Sequence, residues 1–336
     1  MKIKAPLYFA ILILPLPVAW LALFIGAYDV SPLTVMKVIA DWISPFTADI
    51  PDMAERSIIL DIRLPRVILA GLVGVALSVS GVTLQGIFRN PLVDPFILGI
   101  SAGAALGCSL SIGFMPEMPI QVMAFVFGTA AVFLTYAMAK TQGEISRLPL
   151  ILSGVIVSAF FTALVSIVKF LVDPHKLQNI VYWLMGSFSL ADWGVVKVAA
   201  VGIAAGILPL FLMRWRLNVM SMGEDEARTL GVNVRRERII FIAASTLIVS
   251  IAVSVSGIIG WVGLMVPHLI RMISGPDHKS LVPLSMAGGA AFMIFADTVA
   301  RNITGFDIPV GIITAITGAP FFFYLMKRGG SESWGR

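Results

Sequence analysis

Glu224, Asp225 and Glu226, followed by Arg228 and then by Arg235, Arg236 and Arg238, make residues 220–238 the longest strongly charged run in the sequence. Three successive acids suit the first turn of a helix, where they oppose the positive end of its dipole. Gly223 and Gly231 bracket that helix, and Ala227 and Leu230, three apart, are expected to share one of its faces. The chemistry on offer is mechanical rather than covalent: a short, two-faced helix on which a soluble partner can push. On pattern alone, a solvated loop whose arginines only set topology fits as well.

Covalent chemistry has few candidates elsewhere. The sequence contains no Gly-x-x-x-x-Gly-Lys-Ser/Thr loop, so it offers no P-loop to hydrolyse ATP. His-Glu-x-x-His is absent too, and His175, His268 and His278 fall in or near expected loops without metal-ligand spacing. No metal ligand and no catalytic residue is therefore assigned. Cys108, the only cysteine, lies in an apolar run and supports neither a disulfide framework nor a cysteine zinc site. A proton- or sodium-coupled carrier usually keeps ionisable groups deep in the membrane. Of the 19 acids only Asp297 is a candidate, and an ion pair with Arg301, four residues on, is its plainer role. If the chain transports, the energy must come from a partner.

Composition says what must position these residues. Of 336 residues, 58% are hydrophobic and 13% charged, against about 25% charged in a soluble domain. The chain is thus an integral membrane protein, and its net charge of +5 bears on topology rather than on nucleic acid. Uncharged runs close to the about 20 residues of a membrane span recur at 5–28, 67–88, 95–116, 118–139, 148–168, 193–213 (with Lys197 near one end), 239–267, 280–296 and 308–326. The first exceeds the about 7–15-residue core of a signal peptide and has no convincing cleavage site after it, so a retained span is expected. The run 239–267 is too long for one upright span, and Gly257, Gly260, Gly263 and Pro267 suggest that it breaks and turns back. Loop charge decides between nine and ten spans. Ten places most of the 24 lysines and arginines, from Lys2 and Lys4 to Arg336, in the cytoplasm, whereas nine would put Arg271, Lys279, Lys327 and Arg328 outside. With ten, both termini and the charged loop 214–238, between spans six and seven, face the cytoplasm. Residues 1–336 are expected to form one all-α membrane domain.

Shorter segments have their own shapes. Ser31 is an expected cap, with Pro32 at the first position, for an interfacial helix over 31–44 on the outer surface. The apolar stretch 177–191 is too short to span and is expected as a half-inserted helix, with Tyr182 and Trp183 near the interface. Two prolines stiffen an inner turn from Arg89 to Pro95. Small residues at 99–107 and 287–291 allow close helix packing. Ser-Val-Ser-Gly recurs at 78–81 and 254–257, a faint sign of an internal repeat.

Gly223-Glu-Asp-Glu-Ala-Arg-Thr-Leu-Gly-Val-Asn-Val-Arg-Arg236 resembles the cytoplasmic coupling segment of the FecCD/BtuC-type permeases, the membrane subunits of ABC importers for iron–siderophores, haem and cobalamin. Family-like blocks follow in the family's order: Arg63-Leu-Pro-Arg66, Ser80-Gly-Val-Thr-Leu-Gln-Gly86, Arg89-Asn-Pro-Leu-Val-Asp-Pro95, Leu98-Gly-Ile-Ser-Ala-Gly-Ala104, Trp183-Leu-Met-Gly-Ser187, Gly263-Leu-Met-Val-Pro-His-Leu-Ile-Arg271, Gly275-Pro-Asp-His278 and Pro309-Val-Gly-Ile-Ile-Thr-Ala-Ile-Thr-Gly-Ala-Pro320. The resemblance, over roughly residues 7–328, implies a permease of about ten spans that passes large ligands by alternating access. It implies a homodimer, two ATP-binding-cassette subunits that bind the ATP and magnesium, and a periplasmic or surface substrate-binding protein, with no cofactor in this chain. By position, Gly223, Glu224, Asp225, Glu226, Ala227, Arg228, Leu230 and Gly231 match the helix that docks in the ATPase. Arg63, Arg66 and Arg301 match outer arginines that pair with acids of the binding protein. Asn90, Pro91 and Leu92 match a cytoplasmic gate, with a second gate element near 146–148. A metal chelate is the expected cargo. Related permeases carry molybdate or tungstate, and an ion-coupled secondary transporter or an intramembrane enzyme are more distant alternatives.

Overall fold

A computed structural model of the chain describes residues 5–26, 28–43, 52–140, 147–303 and 307–329. Lys2, Lys4, Ser44, Ser146 and Arg336 lie outside the described residues. Every regular element among those described is helical. In order they are α1 (Ala5–Ile13), α2 (Pro15–Phe24), α3 (Pro32–Ile43), α4 (Met53–Ser57), a π-helical turn (Ile58–Arg63), α5 (Leu64–Phe88), a 3-10 turn (Pro95–Leu98), α6 (Ile100–Phe114), α7 (Ile120–Ala139) and α8 (Arg147–Leu171). There follow α9 (Pro174–Leu184), α10 (Trp193–Leu212), α11 (Arg214–Met222), α12 (Glu224–Thr229), α13 (Val234–Ser256), α14 (Val262–Ser274), α15 (His278–Asn302) and α16 (Val310–Gly329). Seven helical stretches are long and apolar enough to cross a membrane, α1 and α2 counting as one. Three shorter apolar helices, α6, α14 and α16, complete the set of ten apolar segments read from the sequence.

The axis of the bundle is α5, buried along nearly its whole length and flanked by α15, α13, α14 and α10. A helix apolar all round belongs inside a bundle. Its neighbours come close because small residues face one another. A Cβ at Gly81 would stand 1.8 Å from the Gly263 carbonyl oxygen, and one at Gly74 would stand 2.1 Å from that of Gly289. The patch at 99–107 works likewise, since a Cβ at Gly103 would lie 2.3 Å from the Phe127 carbonyl oxygen.

The long run 239–267 does break, but over a narrower stretch than expected. Helix α13 stops at Ser256, Gly257 and Trp261 take left-handed φ values of 70° and 74°, and Pro267 lies inside α14. Ser-Val-Ser-Gly therefore sits mid-helix at 78–81 but ends a helix at 254–257, where its glycine is the C-cap. The segment 177–191 is also corrected: α9 starts at Pro174, where Asp173 accepts the Lys176 N–H at 3.0 Å, and stops at Leu184. Beyond it, Gly186 has φ 72° and the Ser187 N–H donates to Ser256 O at 2.8 Å. That bond ties the tail of the segment to the α13–α14 break instead of extending the helix. Ser31 caps α3 as expected, its Oγ accepting the Thr34 N–H at 3.1 Å, with Val35 and Val38 buried and Leu33 and Met36 exposed.

Candidate coupling and gating site

Two short helices and two turns build the face that carries the charged run. Helix α12 has only six residues, and helices shorter than about 12–15 residues are marginal alone. Its neighbours hold it. Ala227 is fully buried, and its carbonyl accepts the Val232 N–H at 2.9 Å. Gly231 ends the turn with φ 77°, where a side chain would be strained. Asn233 then caps α13, its Oδ1 accepting the Arg236 N–H at 3.0 Å. Glu226 folds back over Gly223, so that a Cβ there would lie 1.8 Å from the carboxylate.

Glu224 is the tie to the rest of the molecule. Its Oε1 accepts from Arg238 Nη2 at 2.6 Å on α13 and pairs with Arg147 Nη2 at 3.3 Å at the start of α8. Arg147 lies within the second gate element, 146–148, of which Leu148 is exposed and Ser146 is not described. The base of α13 is fixed by a further pair, Arg216 with the buried Glu237. Two expectations change here. Ala227 and Leu230 do not form one buried face, because Ala227 is fully buried whereas Leu230, at the C-cap, is 60% exposed. Glu224 is not turned outward, since its carboxylate is shared between two arginines. Asp225, Glu226, Arg228 and Gly231 are exposed with Leu230.

The gate turn lies across a cleft from α11. Arg89 ends α5 in the left-handed region with φ 53°, and the Asn90 N–H returns to Gln85 O at 3.1 Å. Asn90 Oδ1 accepts the Leu92 N–H at 2.9 Å, a local turn that leaves Asn90, Pro91 and Leu92 exposed. Asp94 caps the following 3-10 turn by accepting the Phe96 N–H at 2.8 Å, and burial pushes its carboxyl up to about 6. The cleft between this turn, α11 and the α14–α15 turn has a volume of about 790 Å³. Gly86, Asn90, Pro91, Asn218, Ser221, Arg271 and His278 are among the residues that line it. The α14–α15 turn is fastened to α11 through Asn218, which donates to Asp277 Oδ1 at 2.7 Å and accepts the His278 N–H at 2.8 Å. The Lys279 N–H at 3.0 Å, with the Asn218 amide, holds the Asp277 carboxyl below its ordinary range. The sequence reaches Arg147 only as part of the second gate element and His278 only as the end of the Gly275–His278 block, and it does not single out Asn218, whose only signal is polarity beside the coupling motif.

At the opposite end of α5, Arg63, Arg66 and Arg301 are brought together, but not at an exposed rim. They are 4%, 6% and 8% exposed. Arg66 binds Asp297 through Nε and Nη2 at 2.9–3.1 Å, and Asp307 through Nη1 at 2.6 Å. Arg301 approaches Asp297 at 3.4 Å and donates to Ala22 O at 3.0 Å. Arg63 donates to Leu23 O at 2.7 Å, Phe24 O at 3.1 Å and Tyr28 O. The three arginines are enclosed for a physical reason: a guanidinium taken out of water must be paired and hydrogen-bonded, and here the partners come from the same chain. The ion pair foreseen between Asp297 and Arg301 is present, with Arg66 as Asp297's stronger partner.

An all-helical bundle of apolar, span-length helices built on one buried axis is the architecture of a multi-pass membrane protein. The model of the FecCD transport family matches residues 11–328, and the chain belongs to that family. It is the permease subunit of an ABC-type transporter, a multi-pass membrane protein that works with ATPase partners and is not itself an enzyme. A Helicobacter pylori permease named for iron chelatin transport is 48% identical over 271 residues, covering 81% of this chain and 82% of that one. The molybdate import permease MolB of Haemophilus influenzae is 40% identical and covers 96% of each chain. A solved structure named as a metal-chelate type ABC transporter in an inward-facing conformation superposes with a TM-score of 0.85 at 37% identity, covering 97% of this chain and all of that one.

Proposed function

We propose that the chain is the permease of an importer that takes a metal chelate (an iron–siderophore, haem or cobalamin) from a periplasmic or surface binding protein and releases it in the cytoplasm by alternating access. It works as a homodimer with two ATPase subunits, which bind the ATP and magnesium, and the permease itself carries no cofactor. Both termini and the α11–α12 segment face the cytoplasm, in keeping with the concentration of lysine and arginine on that side. The whole chain acts as one membrane domain.

The observation that carries this reading is α12: an exposed Asp225, Glu226, Arg228 and Leu230 on a backbone braced through Ala227 and Glu224. Movement of that helix by the ATPase reaches α8 through Arg147 and α13 through Arg238, and α11 adjoins the Asn90–Pro91–Leu92 gate turn across the cleft. In liposomes holding the permease with its ATPase and binding protein, uptake of a ferric siderophore should require ATP. Uptake that persists with a catalytically dead ATPase overturns the mechanism. The MolB relative, alike over nearly the whole chain, supports molybdate or tungstate as a second reading. Calorimetry of the binding protein with ferric siderophore, haem, cobalamin and molybdate separates the two, because a binding protein that takes only molybdate removes the chelate.

A further inference from the structure

Arg66 is the hub of the opposite-face cluster, and its two carboxylate partners are unlike. The Asp297 side chain is 1% exposed, takes two guanidinium nitrogens and approaches Arg301 as well, so it belongs to the fold. The Asp307 side chain is 36% exposed and takes Nη1 alone. Among the described residues, Asp307 is the only water-facing carboxylate bonded to the cluster's three arginines. It stands on the segment that leads into α16, steadied by the Ile308 N–H donating to Ala300 O at 3.3 Å. Arg63 and Arg301 direct their bonds to backbone carbonyls near the end of the first span and to buried Asp297. Arg66 Nη1 is therefore the position at which an outside carboxylate can enter without disturbing the core.

We propose that Asp307 is an internal stand-in for a carboxylate of the docking binding protein: it covers Arg66 in the free permease and gives up Nη1 when that protein arrives. This rests on the reading of Arg63, Arg66 and Arg301 as the docking face. The physical case is one of exchange. A buried guanidinium left without a partner is costly, so a permease that waits alone needs a cover, and a partner that comes and goes needs that cover to be replaceable. Swapping one carboxylate for another keeps Arg66 paired throughout, so affinity is set by a difference between two similar bonds. Asp307 lies three residues before α16, whose Gly311 touches the Met185 carbonyl beside the α13–α14 break. Release of Asp307 thus acts on the start of a helix that adjoins that break.

The test titrates the fluorescently labelled binding protein of the same importer onto the assembled transporter in nanodiscs, at low and high salt. Asp307→Asn keeps the shape and removes the competing charge, and should dock about three- to tenfold tighter than wild type at low salt, while Asp307→Glu should dock like wild type. A gain in affinity is not an outcome that misfolding produces. Wild-type docking that weakens with salt, together with an Asp307→Asn that is unchanged or weaker, overturns the exchange and leaves the docking face standing. Wild-type docking that is indifferent to salt overturns both.

Discussion

At the coupling face a small apolar side chain is buried and the charges are exposed: Ala227 lies beneath Asp225, Glu226, Arg228 and Leu230. At the opposite face the arrangement is reversed, with Arg63, Arg66, Arg301 and Asp297 inside and their charges satisfied within the chain. The difference separates two ways of using charge. On α12 it decorates a backbone held by a buried alanine, caps and one carboxylate, so it can meet a partner without being needed for the fold. In the outer cluster it joins the first span, α5 and α15, and among the described residues Asp307 is the one carboxylate bonded to it that remains available to water. Substitutions at the two faces should therefore fail differently.

The largest effect is expected from Asp297→Ala. It leaves Arg66 and Arg301 buried without their shared carboxylate, and breaking a buried pair in this way costs about 3–5 kcal/mol. Thermal unfolding of the detergent-solubilised variant should report that loss, and a shift equivalent to less than about 1 kcal/mol would remove the claim that this cluster is structural. Leu230→Asp should do the opposite. The residue is 60% exposed, so unfolding should move by no more than about 0.5 kcal/mol. ATP-driven uptake should nevertheless fall about tenfold or more, as when a central residue of an interface is replaced. Normal uptake by a well-folded Leu230→Asp protein would show that the exposed side of α12 is not where the ATPase sits.

Much of this comparison is legible in the sequence, and the unread part has a common cause. Spans can be read because burying about 20 apolar residues is a local property of the chain, and Gly257 and Gly260 mark the break in α13–α14 because glycine punctuates locally. Span parity brings Arg63, Arg66 and Arg301 to one face for the same reason. What cannot be read is pairing between residues far apart in the chain. The bond from Arg66 to Asp297 crosses 231 positions, and nothing near Arg66 announces a carboxylate that buries it. Nothing in the charged run turns Glu224 inward either, because its partners, Arg147 and Arg238, belong to other helices. Leu230 is misplaced more locally: a three-residue spacing sets the angle between two side chains on a helix but not which of them the neighbouring elements cover, and here only Ala227 is covered.

Glu224→Gln sharpens the comparison at the coupling face itself. Its carboxylate is about one-third exposed, so the loss of charge should cost about 1 kcal/mol or less in unfolding. Uptake should fall more than that figure suggests, by about three- to tenfold if the Arg147 and Arg238 bonds transmit the ATPase stroke. Equal losses in uptake and in stability would mean that Glu224 merely holds the segment together. Arg147→Lys should then be the milder change, because it retains a cation for Glu224 but not the guanidinium fork.

The effect with a pH signature is expected at Asp94 in the gate turn. Its ordinary value of 3.8 is raised to about 6 by burial, so between these values the folded protein holds a proton that the unfolded chain has released. Stability contributed by this group is complete below about pH 4 and declines as pH rises through about 6, where the folded protein must carry a buried charge. Asp94→Asn keeps an oxygen to accept the Phe96 N–H and removes the ionisation. The variant should therefore match wild type near pH 4 and exceed it by about 1–2 kcal/mol at pH 7.5, an order of magnitude set by about 1.4 kcal/mol per pKa unit. Unfolding curves of the two proteins at both pH values test this. A difference that is the same at both would assign Asp94 a capping role alone, and the gate turn would then resemble α12, with charge carried at the surface, rather than the outer cluster, where charge is held inside.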